Sequence, residues 1–229
     1  LDSASEVGDN SVSTSGTFPM KQALSDLLTL LDLEQIEMNL FRGVSPDEGW
    51  QRVYGGQVIG QALVAASRTV DDPNRIAHSL HGYFLRPGDT TCPILYQVDR
   101  IRDGRSFTTR RVKAIQKGQA IFSMSVSFQV MEAGLEHQMS APSTPPPEDC
   151  KSEEMLTNEY LRDVPEADST FVKRPRPIEM LFADPMNDAN PQPLPPEQSV
   201  WIKTIDTMPD DVRLNQCLLA YASDMTLID

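Results

Sequence analysis

The chain has 229 residues, of which 39% are hydrophobic and 23% are charged, and its formal net charge is −13. This is long enough for one or two units with a large core, and no apolar run reaches the roughly 20 residues of a membrane-spanning helix. The negative balance argues against general nucleic-acid binding, which needs a basic surface. The cysteines are far apart and form no CxxC pair, which is typical of reduced intracellular thiols and not of a disulfide framework; they are Cys92, Cys150 and Cys217.

The first forty residues predict a leader, a helix and a strand. Residues 1–19 are rich in Ser, Gly, Asp and Thr, which is typical of a disordered leader. The apolar spacing over residues 21–31 predicts a short amphipathic helix. Alternation of apolar and other residues over 36–41 then predicts one half-buried strand.

The stretch from Val53 to Ser67 consists almost entirely of small and apolar residues. It predicts a helix over roughly residues 55–69, which the turn-forming residues 71–74 end. A helix that is apolar around most of its circumference is buried on most sides. We therefore expect a sheet that wraps around this helix.

Four strands are predicted next, at residues 77–85, 94–102, 105–116 and 119–131. The pairs Asp103-Gly104 and Lys117-Gly118 are typical of tight hairpin turns between antiparallel strands. The strands are therefore expected to form an antiparallel meander. The first unit would then read as a strand, a buried helix and about four strands.

The second half of the chain starts with a proline-rich linker, predicted over residues 136–176, with one short helix near 152–162. Strands are predicted over 177–182 and 200–206, before a helix that Asp210 and Asp211 cap. This order repeats the opening of the first unit. If the repeat were complete, it would need roughly 60 to 80 further residues, so we expect the chain to be incomplete at its C-terminus. The alternative is that residues 210–229 are a terminal helix docked on the first unit.

Asp224 is the first candidate site residue. It comes late in an apolar helix, between Ala222 and Leu227, where a carboxylate opposes the helix dipole and where burial is unfavourable unless the charge is paired. Stability alone explains such a residue poorly, which favours a role in orienting and partly deprotonating a water. The alternative is an exposed residue in a frayed helix end.

Gly55, Gly56 and Gln57 open the buried helix and are candidate substrate-binding residues. Bare backbone N–H groups at a helix start attract developing negative charge. The alternative is that the glycines only permit close packing. The spacing does not match a G-x-G-x-x-G dinucleotide loop, and no G-x-S-x-G elbow or Cys/His pair indicates a nucleophile.

His78 and His81 resemble a metal pair at first sight. On a regular strand an odd offset places two residues on opposite faces, which argues against joint ligation of a metal. One histidine packed in the core or at an interface is the simpler interpretation. His81 is nevertheless a candidate for a hydrogen bond near the active site.

Five motifs together resemble one protein family: FRG at 41–43, VYGGQVIGQAL at 53–63, HSLHGYFLRPGD at 78–89, IRDGRSF at 101–107 and AYASD at 220–224. They resemble the type II acyl-CoA thioesterases, most of all the peroxisomal acyl-coenzyme A thioester hydrolase branch. The resemblance covers about residues 24–229 in the correct order. It implies an α+β double-hotdog fold, in which two antiparallel sheets each curl around a central helix.

The same resemblance implies the division of the chain and its chemistry. A first hotdog domain over 20–135 and the linker would precede the start of a second, at 177–229. A water held by an Asp, a Ser or Thr and a Gln would hydrolyse fatty acyl-CoA without a covalent intermediate. Asp224 matches the Asp, and the other two are expected beyond residue 229. Coenzyme A is part of the substrate, so no separate cofactor is implied.

Further implications concern partners, location and alternatives. The enzyme is expected to be peroxisomal or cytosolic and to form a homo-oligomer. The basic stretch over residues 100–117 could hold the phosphates of coenzyme A, or it could be the solvent face of two strands. A catalytically incomplete acyl-CoA-binding or assembly module is the main alternative, and a hotdog dehydratase is a weaker one.

Overall fold

The computed structural model describes residues 17–46, 51–164, 175–186 and 189–226, and the structural statements below refer to these residues. Nine strands and four α-helices are assigned within them. The strands are β1 (Glu34–Glu37), β2 (Leu40–Gly43), β3 (Arg75–Phe84), β4 (Ile94–Asp103), β5 (Phe107–Gln116), β6 (Gln119–Val130), β7 (Lys151–Ser152), β8 (Ile178–Phe182) and β9 (Val200–Thr204). The helices are α1 (Thr17–Leu31), α2 (Gly55–Arg68), α3 (Glu153–Asp163) and α4 (Val212–Ala222).

The first six strands form one antiparallel sheet in the order β1-β2-β4-β5-β6-β3. Only β4, β5 and β6 form the predicted meander, because β3 pairs with β6 and not with β4. The expectation of a four-strand meander in chain order was therefore wrong. Strand propensity predicts where strands lie but not which strands pair. The connection over residues 85–93 is long enough to carry the chain from one edge of the sheet to its middle.

Two local predictions in this sheet were also wrong. Residues 36–41 form parts of two strands, because Asn39 adopts a positive φ of 61° and turns the chain between β1 and β2. The β4–β5 connection is a three-residue loop, closed where the Gly104 N–H donates to the Phe107 carbonyl at 2.9 Å. The tight turn at Lys117-Gly118 is confirmed, with positive φ at both residues.

The helix α2 lies in the concave face of the six-stranded sheet, as its composition predicts. Eleven of its 14 residues are buried, against the inward side chains of β4, β5 and β6. Burial alternates along β5, so that Val112 and Ala114 face the helix while Arg111 and Lys113 are exposed. The predicted bounds of this helix agree with the structure to within one residue.

A polar network lies inside this core. Gln61 is fully buried on α2, where its amide donates to the Leu30 carbonyl at 2.7 Å and its oxygen accepts from the Tyr96 hydroxyl at 2.7 Å. A Cβ on Gly43 would lie 2.7 Å from that amide oxygen, so a glycine is needed there. The network fixes α1 and β4 against the central helix.

The second part of the chain forms a three-stranded antiparallel sheet, β7-β8-β9, together with α3 and α4. The predicted linker therefore contributes a strand, because β7 pairs with β8. The helix expected near 152–162 is confirmed as α3. Asp211 caps α4, since its carboxylate accepts from the backbone N–H groups of Arg213 and Leu214.

The first helix is longer than predicted. The helix α1 begins at Thr17, before the predicted start at residue 21, so residues 17–19 of the predicted leader are helical. The remainder of the predicted leader and the last three residues lie outside the described part of the chain.

Candidate functional site

The helices α2 and α4 pack antiparallel, so that the start of α2 meets the end of α4. At this contact a Cβ on Gly56 would lie only 2.1 Å from the Tyr221 carbonyl oxygen. One on Gly60 would lie 3.2 Å from the Cys217 carbonyl oxygen. The glycines of α2 therefore permit the close packing of a second helix.

Asp224 lies just beyond the end of α4 at Ala222, and not within the helix as predicted. It lies against the N-terminus of α2. A Cβ on Gly55 would be 2.5 Å from its carboxylate oxygen Oδ2. Burial raises the pKa of the Asp224 carboxyl, and the backbone N–H of Gly56 opposes that rise by stabilising the ionised form. The carboxylate is thus partly withdrawn from water beside the positive end of a neighbouring helix dipole. It does not extend from a frayed helix end into solvent.

Tyr54, immediately before α2, completes this contact. Its hydroxyl donates to the Tyr221 carbonyl at 3.1 Å, and the two rings meet edge to face with centroids 5.1 Å apart. Burial, followed by the nearby charge of Asp224, raises the pKa of the Tyr54 hydroxyl well above its ordinary value. Tyr54 is therefore a neutral group beside the carboxylate.

An apolar cavity of about 330 Å³ opens beside the same helix start. It is lined mainly by Val53, Gly55, Val58, Phe84, Leu85, Ile121 and Phe122, with Arg52 and Arg86 also on its wall. Gly55 borders both this cavity and the Asp224 carboxylate. A carboxylate, helix N–H groups and space for an apolar chain therefore meet at one point.

The opposite end of the helix pair also carries a charged side chain, Arg213, but there the charge is stabilised by several hydrogen bonds. The Arg213 guanidinium of α4 donates to the carbonyls of Ser67, Val70, Asp72 and Arg75, which lie at and after the end of α2. Gln216 exchanges two hydrogen bonds with the backbone of Ala77, at 3.1 and 2.7 Å. This end holds the two helices and β3 together.

Gln57, a predicted site residue, faces another part of the molecule. It is buried, and its amide donates to the Val44 carbonyl at 3.1 Å and to the Ser45 hydroxyl at 3.0 Å. This holds the chain that leaves β2. The structure thus brings Gly55, Gly56 and Asp224 together and places the Gln57 amide elsewhere; its role in substrate binding stays a prediction.

His81 lies on the outer, exposed face of the sheet. It pairs across the strands with Ser125, which is also exposed, whereas its neighbour Gly82 faces Phe122 in the interior. The structure does not bring His81 to Asp224, and its predicted hydrogen bond near the site has no support from this placement.

His78 is also on the outer face, contrary to the expectation for an odd offset. An irregularity in the β3–β6 pairing between Ala77 and Ser79 breaks the alternation, and the His78 ring is 2.8 Å from the Ser127 hydroxyl. In the described part of the chain, no cluster of three or more His, Cys, Asp or Glu side chains could hold a metal ion.

The basic stretch over residues 100–117 is divided between different surroundings. Arg110 is fully buried and bonded to Thr69 and Asp103, while Arg100 pairs with Asp71. Lys117 pairs with Asp89. These contacts favour the interpretation as strand faces over one continuous phosphate site.

Sequence reasoning did not identify Tyr54 or, among the residues of the cavity wall, Phe84. Both lie within the motifs that carry the family resemblance. The signal that could have identified Tyr54 is a large aromatic residue directly before two glycines that leave space for it.

The comparisons with known proteins agree on one family. Residues 46–129 match the acyl-CoA thioesterase N-terminal domain, and residues 174–229 match the family described as acyl-CoA thioesterase. The chain is 42% identical over 209 residues to acyl-CoA thioesterase 2 of Haemophilus influenzae, with 91% of this chain and 73% of that protein covered.

Two eukaryotic relatives are similar over less of their length. Acyl-coenzyme A thioesterase 8 of Mus musculus is 40% identical over 213 residues, which cover 87% of this chain and 65% of the relative. Peroxisomal acyl-coenzyme A thioester hydrolase 1 of Saccharomyces cerevisiae is 32% identical over 116 residues, or 49% and 33% of the two chains. The chain therefore spans less than two thirds of the length of these relatives.

Solved structures confirm the fold. The acyl-CoA thioesterase II TesB2 of Mycobacterium marinum superposes with a TM-score of 0.67 at 41% identity, covering 88% of this chain and 69% of that one. A hot-dog-fold protein of Alicyclobacillus acidocaldarius superposes with a TM-score of 0.63, covering 88% of this chain and 69% of that one. Its sequence identity is 16%, so this similarity shows the fold alone. The α+β double-hotdog fold expected from the sequence is confirmed. None of the helices described is long and apolar enough to cross a membrane.

Proposed function

The chain belongs to the acyl-CoA thioesterase family, whose general reaction is hydrolysis of acyl-CoA to a fatty acid and coenzyme A, and we propose that it takes part in this reaction through Asp224. One observation carries the proposal. The partly buried Asp224 carboxylate lies at the N-terminus of α2, next to an apolar cavity.

Each part of this arrangement has a role in thioester hydrolysis. The apolar wall of the cavity accepts the acyl chain, which places the thioester near Gly55. Backbone N–H groups at the start of α2 stabilise the negative charge that develops on the carbonyl oxygen. Asp224 accepts a proton from the attacking water, and its raised pKa makes it a better base than an ordinary aspartate.

Direct attack by water is favoured over attack by the Cys217 thiol. Cys217 is buried between α2 and α4, and this burial raises the pKa of its thiol to about 12. A thiolate is therefore scarce at neutral pH. The expectation that no cofactor is needed stays a prediction, which activity after dialysis against EDTA would test.

The test is the release of free coenzyme A from decanoyl-CoA by the chain and by Asp224→Asn. We expect the variant to lose about 100-fold or more of the rate, as for removal of a general base. Asp210→Asn is the matched control, because Asp210 is exposed in the loop that leads to α4, and it should keep full activity. Equal rates for the chain and Asp224→Asn would overturn the proposal.

The same assay separates the enzyme from a binding module. A module would bind a non-hydrolysable acyl-CoA thioether, measured by calorimetry, and would release no coenzyme A from decanoyl-CoA. Turnover that Asp224→Asn abolishes would exclude that alternative.

We further propose a homo-oligomer in a peroxisomal or cytosolic setting. The edge of β3 has no strand partner in the described part of the chain, and Leu80 on this strand is exposed. The name of the yeast relative supports the peroxisome. Light scattering after gel filtration tests the oligomer, and cell fractionation tests the location.

A further inference from the structure

Tyr54 occupies an unusual place at the start of α2. It is the N-cap residue, with extended backbone angles, but its side chain makes no capping hydrogen bond to its own helix. The ring instead fills the space that Gly56 leaves open. A Cβ on Gly56 would lie 2.5 Å from its Cε1 atom and 2.6 Å from its Cζ atom.

The same side chain contacts the end of the other helix. Its ring meets the Tyr221 ring edge to face, and its hydroxyl donates to the Tyr221 carbonyl. This hydrogen bond links the residue before α2 to the backbone of the last turn of α4. Tyr54 therefore binds α4 in its last turn, three residues before Asp224.

We propose that Tyr54 is a positioning residue for the reaction. Its aromatic ring holds the last turn of α4 so that the Asp224 carboxylate faces the N-terminus of α2. The inference rests on the proposed role of Asp224. Tyr54 does not line the apolar cavity, so it acts on the carboxylate and not on the acyl chain.

The ring, more than the hydroxyl, carries this role. The ring fills the gap above Gly56 and packs on Tyr221, so its loss would leave a cavity between the two helices. The hydroxyl makes one partly buried hydrogen bond between neutral groups, whose net contribution is small. Tyr54→Phe should therefore preserve the arrangement, and Tyr54→Leu should not.

The pKa of Asp224 is a readout that a general loss of stability, without a change at the end of α4, would leave unaltered. The titratable and charged groups around Tyr54 are Asp224, Tyr221 and Arg176. Burial is the main cause of the raised pKa of Asp224. If α4 loosens, the carboxyl becomes more hydrated and its pKa falls, so the acid limb of the rate profile moves to lower pH.

The experiment compares kcat, KM and the pH profile of decanoyl-CoA hydrolysis for the chain, Tyr54→Phe and Tyr54→Leu. We expect Tyr54→Leu to lose about 30-fold to 100-fold in kcat with KM unchanged. Tyr54→Phe should stay within about threefold, the size of a small hydrogen-bond term. Gln216→Ala is the control for general loosening of α4, since it loses two hydrogen bonds to β3 but leaves the Asp224 end intact.

Carboxyl NMR titration of Asp224 in the same variants separates this inference from the proposed function. A lower Asp224 pKa in Tyr54→Leu but not in Tyr54→Phe or Gln216→Ala supports the inference, even if the chain shows no turnover. An unchanged Asp224 pKa in Tyr54→Leu would overturn it. Equal losses of kcat in the Phe and Leu variants would also overturn it, because the hydroxyl and not the ring would then be responsible.

Discussion

The two ends of the α2–α4 helix pair differ in how well they stabilise a charged side chain. At one end, the half-buried Arg213 guanidinium donates to four backbone carbonyls that the end of α2 and the loop after it leave open. At the other end, the Asp224 carboxylate is partly buried, and its raised pKa shows that its surroundings disfavour the charge. We call these the matched end and the reactive end.

The difference indicates which end serves stability and which serves chemistry. A half-buried charge with several hydrogen bonds to carbonyls holds elements together, and its removal leaves those carbonyls without their donors. A carboxylate kept where its ionised form is disfavoured does not stabilise the fold, which points to a role in function. The apolar cavity opens at the reactive end, where such a carboxylate can be used.

The largest effect on stability is expected from Arg213→Met at the matched end. The variant leaves several carbonyls without donors, so the free energy of unfolding should fall by about 4 kcal/mol. Urea denaturation followed by circular dichroism measures this change. A decrease below about 1 kcal/mol, the value of an ordinary surface ion pair, would show that the Arg213 hydrogen bonds do not hold the two helices together.

A smaller effect is expected from Gly56→Ala at the reactive end. The added methyl group would meet the Tyr221 carbonyl at 2.1 Å, a backbone atom that cannot rotate away, so the helices must separate. We expect a loss of about 3 kcal/mol in unfolding free energy.

Gly60→Ala is the matched control on the same helix. Its new methyl group would have neighbours at 3.1 to 3.3 Å, and the better helix propensity of alanine offsets part of the strain. The change should be within about 1 kcal/mol. Equal losses for the two alanine variants would contradict the close approach at Gly56.

The smallest effect is a gain of stability in Asp224→Asn. The pKa of Asp224 is raised in the folded state, so the folded chain binds this proton more tightly than the unfolded chain. Ionisation of Asp224 therefore lowers stability as the pH rises through the two pKa values. Asparagine avoids this loss, and Tm should rise by about 1–2 °C at pH 7.

The gain should disappear at about pH 3, where both states of the wild-type carboxyl are protonated. Calorimetric melting at the two pH values measures the difference. A Tm that falls at pH 7 on substitution would mean that the Asp224 charge stabilises the fold.

Local patterns predicted the two helices of the pair and parts of the sheet, but not the Arg213 contacts of the matched end. The composition of residues 53–67 identified a helix buried on most sides, and the aspartates before α4 identified its start. Lys117-Gly118 identified a tight turn. Each of these features depends on neighbours in sequence, so it can be read from one segment.

Features that depend on distant contacts could not be predicted in this way. The position of β3 at the sheet edge and the irregularity at His78 arise from pairing with β6. Tyr54 and Tyr221 are 167 residues apart, and no periodicity relates them. Asp224 was identified because a carboxylate beside an apolar helix is unfavourable, but its contact with Gly55 required the fold.

The most direct test compares the turnover of Asp224→Asn and Arg213→Met per folded molecule, with decanoyl-CoA as substrate. We expect a stable, inactive Asn variant and a destabilised Met variant whose folded fraction hydrolyses the substrate at the wild-type rate. An active Asn variant, or a Met variant that is inactive even when folded, would contradict the division between a reactive and a matched end.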